Sequence, residues 1–317
     1  MAPQGSPPPG APAAKALRRR ARPTLAILSR KRSLYSTRRL VEAAKAQGLR
    51  PKVLDVLACD LLLESGHPRL FHKGEELRAP QVSLPRIGAS VTGHGLAVVR
   101  QLEALGVPLV NGSRAIEASR DKLRALQLLS AAGVPVPRTV LARGGGELSK
   151  LVQLVGGLPA ILKLLQGTQG VGVMIAHSMA EVESILTTLR DLGEEILLQE
   201  FIAEAKGADV RALVVGGRVV GAMRREARSG EFRSNLHRGG AGRAHALEPA
   251  FEQAAVRAAA VLGLEVAGVD LLESTGGPKV MEVNSSPGFE GLERASGVDV
   301  AGAIVLRARE LVRSSKS

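Results

Sequence analysis

The sequence predicts a chain of the α/β and α+β class, with a small parallel α/β domain followed by two lobes rich in antiparallel hairpins. Three observations predict it. Strand-like and helix-like stretches alternate from residue 24 to about residue 111. Further along, Gly-rich turns join pairs of apolar runs, as in DVRALVV–GG–RVVGAM and AGVDLLES–TGG–PKVMEVN. A chain of 317 residues, 45% of them hydrophobic, also exceeds what one small core organises.

The elements follow in order. TLAILS (24–29) reads as a strand, and a helix over Thr37–Gln47 carries Leu40, Val41 and Ala44 on one side. KVLDVL (52–57) is the next strand, the Lys-Gly turn of HKGEEL marks a small hairpin, and VSLPRIG ends a strand at Pro85. A helix from about Gly95 to Leu105 and a short strand PLVN (108–111) close the first domain. One helix is expected over roughly 113–132, stopped by Gly133, Pro135 and Pro137. The strand TVLA (139–142), a helix over 147–155, the hairpin PAILKLLQGTQGVGVMIA and a helix capped by Ser178 with Glu181 come next. EILLQEFI leads to the hairpins of the last lobe, which helices at about 250–262 and 298–313 complete. The expected division is a basic Pro/Ala-rich disordered tail over 1–22, then domains over 23–112, 113–203 and 204–317. No internal repeat is evident.

Composition narrows the function. The formal charge is +13, but Lys15, Arg18, Arg19, Arg20 and Arg22 lie in the first 22 residues, which hold no acid. The remainder is moderately basic and suits an anionic ligand such as a nucleotide or an acidic peptide. Aromatics are 2% of the chain and Trp is absent, so no base-stacking surface for nucleic acid is expected. No apolar run reaches eighteen residues, and the opening stretch lacks the apolar core of a secretory signal. The single Cys59 forms no internal disulfide, reads as a small buried hydrophobe and suits a reducing cytoplasm. The tail is alternatively sequence upstream of a later start codon.

The chemistry concentrates in VMEVNSSPGFEGLE (280–293). Strand alternation puts Val280, Glu282 and Asn284 on one face and Met281 and Val283 on the other. If the preceding turn centres near Gly276, Asp270 lies opposite Glu282. Two facing carboxylates repel and raise each other's proton affinity, which a divalent cation relieves. Asp270, Glu282 and Asn284 offer only oxygen, the hard donor set of Mg²⁺ or Mn²⁺. The plainer alternative is a polar face at a sheet edge.

Lys163 alternates with aliphatic residues in LKLLQG and calls for an anion. The loop from Gln166 to Gly172, with Gly167, Thr168, Gln169 and Gly170, lets backbone N–H groups approach phosphates. It lacks the Gly-Lys-Ser/Thr of a Walker A loop, and taken alone it is better read as plain turn chemistry; Lys163 and the downstream oxygen ligands reverse that balance. Gln199 and Glu200 end an apolar strand where a nucleotide's adenine edge and ribose need partners, and Asp209 and Arg211 begin the next strand. FRSNLHRGGAG (232–242) reads as a polar loop closing over an anion; its His237 is a base candidate but more simply a hydrogen-bond donor or exposed. No nucleophile-elbow signature supports a Ser-His-Asp hydrolase.

In that order, DKLRALQLL, LKLLQGTQGVGV, LLQEFI, FRSNLHRGGAG and AGVDLLES…VMEVNSSPGFEGLE resemble the ATP-grasp ligases, and closely the RimK group of glutamate ligases. LSRKRSLYSTRRL and PRIGASVTGHG extend the resemblance from about Thr24 to Arg313. It implies an ATP-grasp fold preceded by a small Rossmann-like pre-ATP-grasp domain. It further implies that Lys122 and Lys163 hold ATP phosphates, with Gly167, Thr168, Gln169 and Gly170 around them. Glu200, Phe201 and Asp209 would contact adenosine, and Arg233, Ser234 and Asn235 the nucleotide. Asp270, Glu282 and Asn284 would bind Mg²⁺ or Mn²⁺, with two ions expected, and Arg225 and Arg238 are the catalytic candidates. Two departures stand out: Asn-Ser-Ser-Pro-Gly in place of Asn-Ala-Ser-Pro-Gly, and a reordered run at Arg224-Arg225-Glu226.

The activity implied is ATP-dependent ligation of L-glutamate, through an acyl phosphate, to the C-terminal glutamate of a protein or peptide. A small-subunit ribosomal protein with an acidic tail is the acceptor the resemblance points to. Poly-α-glutamate synthesis, ligation to a small N-acyl amino acid or a cofactor, and a ribosome-associated binding protein without catalysis are the alternatives. The location implied is cytoplasmic, with no membrane partner and no direct nucleic-acid readout, and a homo-oligomer is left open.

Overall fold

A computed structural model describes residues 22–142, 147–165, 172–227 and 241–314. The chain opens with β1 (Thr24–Leu28), α1 (Tyr35–Ala46) and β2 (Arg50–Leu54). β3 (Cys59–Leu62), β4 (Arg69–His72) and β5 (Glu75–Glu76) form a small antiparallel meander, and β6 (Val82–Pro85) and α2 (Thr92–Ala104) follow. The main sheet here is parallel, in the order β2-β1-β6. β1 is apolar throughout because both of its faces are covered. Ala26 and Leu28 pack with α2, while Leu25 and Ile27 face α1 and the C-terminal lobe.

α3 (Ser113–Arg120) and α4 (Lys122–Ala131) lead to the central lobe. There β7 (Thr139–Ala142), β8 (Ala160–Leu164), β9 (Val173–Ala176) and β10 (Ile196–Glu200) pair antiparallel in the order β7-β10-β8-β9. α5 (Leu148–Leu154) and α6 (Met179–Asp191) cover this sheet around a core of Val152, Leu162, Val182, Leu186 and Leu198. The Ser178 side chain accepts from the Glu181 backbone N–H and starts α6 as the sequence predicts.

The C-terminal lobe is a five-stranded sheet ordered β13-β12-β11-β14-β15, from β11 (Ala208–Val215), β12 (Arg218–Glu226), β13 (Ala241–Ala244), β14 (Val266–Leu272) and β15 (Lys279–Asn284). α7 (Pro249–Val261), α8 (Glu290–Ser296) and α9 (Val300–Ser314) pack on it. Alternation gives this sheet two distinct faces. Val210, Ala212, Val214, Val269, Leu271 and Val283 pack under α4 and α7. Leu213, Val215, Met223 and Val266 share a core with Leu25, Ile27, Phe289 and α9, which joins the first domain to the last lobe. Asn111 stitches the same junction. Its backbone has φ +75°, its Nδ2 donates to Val266 O and Ser285 O, and its Oδ1 accepts from Glu265 N and Val266 N.

Four sequence readings need correction. The strand expected over 52–57 ends at Leu54, because the Asp55 side chain caps a turn of 3₁₀ helix over Val56–Ala58. PLVN forms only an isolated bridge from Leu109 to Ser83. The single helix over 113–132 is two, because Asp121 leaves helical geometry and its carboxylate accepts from Arg124 N to cap α4. Finally, Val280 does not share a face with Glu282 and Asn284. A bulge shifts the register, so Asp270 faces Glu282 while Leu271 faces Val280, and Val280 packs with Val283. The Val280 N–H bonds Pro135 O instead. The Asp270–Glu282 pairing holds.

Candidate active site

The sheet of the last lobe is apolar where the first domain covers it and charged at the other end of the same face. One row runs across three strands: Arg211 of β11 beside Asp270 of β14, and Asp270 beside Glu282 of β15. Asp209 and Arg225 form the adjoining row between β11 and β12, and Asn284 lies one step along from Glu282 opposite Gly268. Gly268 is required there. A Cβ on it would stand 2.6 Å from the Pro287 Cβ, so only glycine lets the Ser-Ser-Pro-Gly turn close over β14.

Arg211 holds both oxygens of Asp270, Nε to Oδ1 and Nη2 to Oδ2, each at 2.6 Å. Arg225 bridges Asp209 at 2.6 Å and Asp270 at 3.0 Å. Asp209, Arg225 and Asp270 are all buried. Burial alone would raise the proton affinity of Asp270, but the two guanidiniums outweigh it and keep the carboxyl below its ordinary range. Glu282 differs. It opens toward the cleft, yet the surrounding protein and the Asp270 charge push its pKa up, against the pull of Arg211, Lys163 and Lys122. The row is therefore short of positive charge at Glu282.

The cations that face Glu282 from outside its own lobe, Lys122 and Lys163, both come from the middle part of the chain. Lys163 sits in β8, where burial pushes its pKa down to about 8; Glu282 resists that shift and Lys122 adds to it. Lys122 opens α4, and its ammonium donates to Leu164 O at 3.0 Å and Leu165 O at 3.3 Å, at the end of the same strand. Glu200 ends β10 and accepts from Arg138 N, Arg138 Nη2 and Lys279 Nζ. Burial works against ionisation, but these donors hold its carboxyl at about 2. Phe201 follows, half-buried.

The structure thus brings Lys122, Lys163, Asp270, Glu282 and Asn284 to one cleft, with Arg225 and Asp209 in its floor. Asp209 points at Arg225 rather than into open space. Gly167, Thr168, Gln169, Gly170, Arg233, Ser234, Asn235, His237 and Arg238 lie outside the described residues. Two carboxylates and one amide, all oxygen donors, with Glu282 in no salt bridge among the described residues, fit a hard divalent cation. Two lining residues escaped the sequence reading, Arg86 and Arg120. Their only signal was a charged residue set directly after a buried strand, in PRIG, and directly before Asp-Lys, in SRDK.

Comparison with known proteins decides the family. The family model of the RimK-like ATP-grasp domain matches residues 119–307, and that of the RimK PreATP-grasp domain matches residues 24–116. The chain belongs to the RimK-like ATP-grasp family. It is an ATP-dependent ligase by that membership. A probable alpha-L-glutamate ligase of Cellvibrio japonicus (strain Ueda107) is 52% identical over 281 residues, covering 89% of this chain and 93% of the relative. Among solved structures, the ATP-grasp ligase PsnB complexed with minimal precursor superposes with a TM-score of 0.73 at 22% identity, over 92% of this chain and 99% of that one. A RimK domain ATP-grasp protein from Sphaerobacter thermophilus DSM 20745 has a TM-score of 0.67 at 25% identity, over 90% and 99%. The fold is ATP-grasp with a pre-ATP-grasp domain. Among the described residues, no helix is long and apolar enough to cross a membrane.

Proposed function

We propose that this chain ligates L-glutamate to the C-terminal glutamate of an acidic peptide or protein tail in the cytoplasm. The observation that carries this reading is the convergence of Lys122 and Lys163 on Glu282, beside Asp270 and Asn284. The glutamate relatives, at about half identity along nearly the whole chain, supply the amine.

Lys122 and Lys163 hold the ATP phosphates at the end of β8, and Glu200 serves the ribose hydroxyls. Asp270, Glu282 and Asn284 hold Mg²⁺, which neutralises phosphate charge when bound. An acceptor carboxylate oxygen attacks the γ-phosphorus, ADP leaves, and an acyl phosphate forms. The glutamate nitrogen then attacks the acyl carbon, phosphate leaves, and the nitrogen loses its proton. Both steps depend on positioning and on fixed positive charge more than on a proton-transferring side chain. Arg211 and Arg225 contribute by fixing the Asp270 carboxylate in one orientation beside Glu282.

Mass spectrometry of products from ATP, Mg²⁺ and glutamate tests the reading in three arms: no acceptor, poly-glutamate, and a small-subunit ribosomal protein with an acidic tail. Glutamate increments on either acceptor support it. Increments without any acceptor would make the protein a poly-glutamate synthetase, and turnover with a different amino acid only would overturn the choice of substrate.

A further inference from the structure

Arg86 and Arg120 have no part in the chemistry so far assigned. Arg86 directly follows β6, at the carboxyl end of a parallel sheet, where α/β domains place their ligands. Its Nη2 donates to Pro287 O at 2.6 Å, and its guanidinium lies 5.7 Å from the centre of the Phe289 ring. Arg120 ends α3, two residues before Lys122, and its Nη2 donates to Ile87 O at 2.5 Å. Arg120 thus lies beside Arg86, which itself bonds the turn that follows Asn284. Among the described residues, neither forms a salt bridge with a carboxylate.

Three polar atoms at this corner are buried without a hydrogen-bond partner among the described residues: Arg120 Nε, Ser285 Oγ and Ser286 Oγ. Ser285 is only 2% exposed. Buried donors left unpaired are costly, so several in one corner beside two like charges point to an absent anion. The electrostatics agree: burial and the Arg120 charge push Arg86 down to about 10, and burial lowers Arg120 against the pull of Glu282. The ATP phosphates have their cations elsewhere, on α4 and β8. A guanidinium fork matches a planar carboxylate better than it matches a point charge.

We propose that Arg86 and Arg120, with the hydroxyls of the Ser285–Ser286 turn, bind a carboxylate of a glutamate substrate that does not itself react. This rests on the glutamate reading above and adds the specificity element to it. The corner lies just beyond Asn284, so a carboxylate held there leaves the substrate's reacting atom facing the metal-ligand row. The carboxylate belongs either to the incoming amino acid or to the terminal residue of the acceptor; the chemistry is shared.

The test measures initial rates of the full chain with ATP and Mg²⁺, comparing wild type with Arg120→Gln, Arg120→Lys and Arg86→Lys. One arm varies the amine donor, glutamate against glutamine; the other varies the acceptor, a peptide ending in glutamate against one ending in glutamine. Arg120→Gln is expected to raise KM for the carboxylate-bearing substrate by about 10- to 100-fold and to erase preference over the amide by the same factor. KM for ATP should stay within about twofold, and Arg120→Lys should recover part of the loss, since it restores charge without the fork. The arm that moves names the source of the carboxylate. If Arg120→Gln does not fold, Arg120→Lys and Arg86→Lys should show a smaller loss of the same preference, on the order of 10-fold. Unchanged preference in both arms, or a rise in KM for ATP alone, overturns the inference. Wild-type turnover with glutamate sets the baseline; its absence overturns the functional reading itself, whereas turnover with unaltered variants overturns this site only.

Discussion

Arg211 grips both carboxylate oxygens of Asp270 at 2.6 Å, whereas Glu282, directly across the strand pair from Asp270, forms no salt bridge with a described residue. Two acids in one row therefore have opposite electrostatic roles. Asp270 is tied into a buried ion network with Arg211, Arg225 and Asp209; Glu282 carries a charge the protein leaves short of compensation.

The difference separates two substitutions that should abolish ADP formation alike. Asp270→Asn leaves Arg211 and Arg225 facing a neutral group and should destabilise the fold by roughly 3 kcal/mol. Glu282→Gln removes a repulsive charge and should leave the thermal midpoint unchanged or slightly higher. Calorimetry beside ADP release checks both; equal destabilisation by the two substitutions would contradict the network.

Lys163 fixes a pH dependence. Its folded pKa of about 8 lies below its ordinary value of 10.5, so the ligand-free protein binds fewer protons than the unfolded chain between those two values. Stability of the ligand-free protein should rise with pH across that window. Phosphate binding needs the charged ammonium, so ATP affinity should fall as pH climbs through 8, with proton uptake on binding. Titration calorimetry in buffers of different ionisation enthalpy reads the uptake, and Lys163→Met should remove it.

Asn111 joins the first domain to the start of β14 through three hydrogen bonds and to Ser285, next to Asn284, through a fourth, from a left-handed backbone. Asn111→Ala should cost on the order of 3 kcal/mol, because buried carbonyls and N–H groups lose their partners and a left-handed backbone suits alanine less well than asparagine. Asn111→Gly keeps the conformation and should lose only the hydrogen-bond part. Urea unfolding of both variants measures the split.

Gly268→Ala should act on turnover more than on overall folding. The added methyl would meet Pro287, displace the turn by a few tenths of an ångström or more, and shift Asn284 with it. Overpacking of this kind costs about 1–3 kcal/mol. The expected result is a fall in kcat with native circular dichroism; full activity would show that the turn tolerates the shift.

Much of this was readable in the sequence because the signals were local. The Gly216-Gly217 turn between β11 and β12, with both residues at positive φ, is a two-residue hairpin that sets Val215 opposite Arg218; a bulge beyond Val214 then shifts the register by one and brings Asp209 opposite Arg225. The Ser178 cap and the apolar run of β1 are equally local. The Asp270–Glu282 pairing came out right although the turn is offset by half a residue, because the bulge at β15 restores the register; alternation alone could not predict that Val280 changes face. The sequence places Arg211 with Asp209 at the start of one strand, but its grip on Asp270 depends on β14 lying beside β11, a pairing between strands separated by β12, β13 and α7. Arg86 and Arg120 were invisible as a pair for the same reason: they lie 34 positions apart, and only the fold brings Arg120 to the Ile87 carbonyl beside Arg86, which in turn bonds Pro287 O.

The most direct test of the central claim, a ligase site built on Asp270, Glu282 and Asn284, is ADP release by wild type and Glu282→Gln with ATP, Mg²⁺, glutamate and an acidic-tailed acceptor. The account predicts glutamate-dependent ADP release, one ADP per glutamate added, and none from the folded variant. Turnover in Glu282→Gln equal to wild type, or release of AMP in place of ADP, would contradict it.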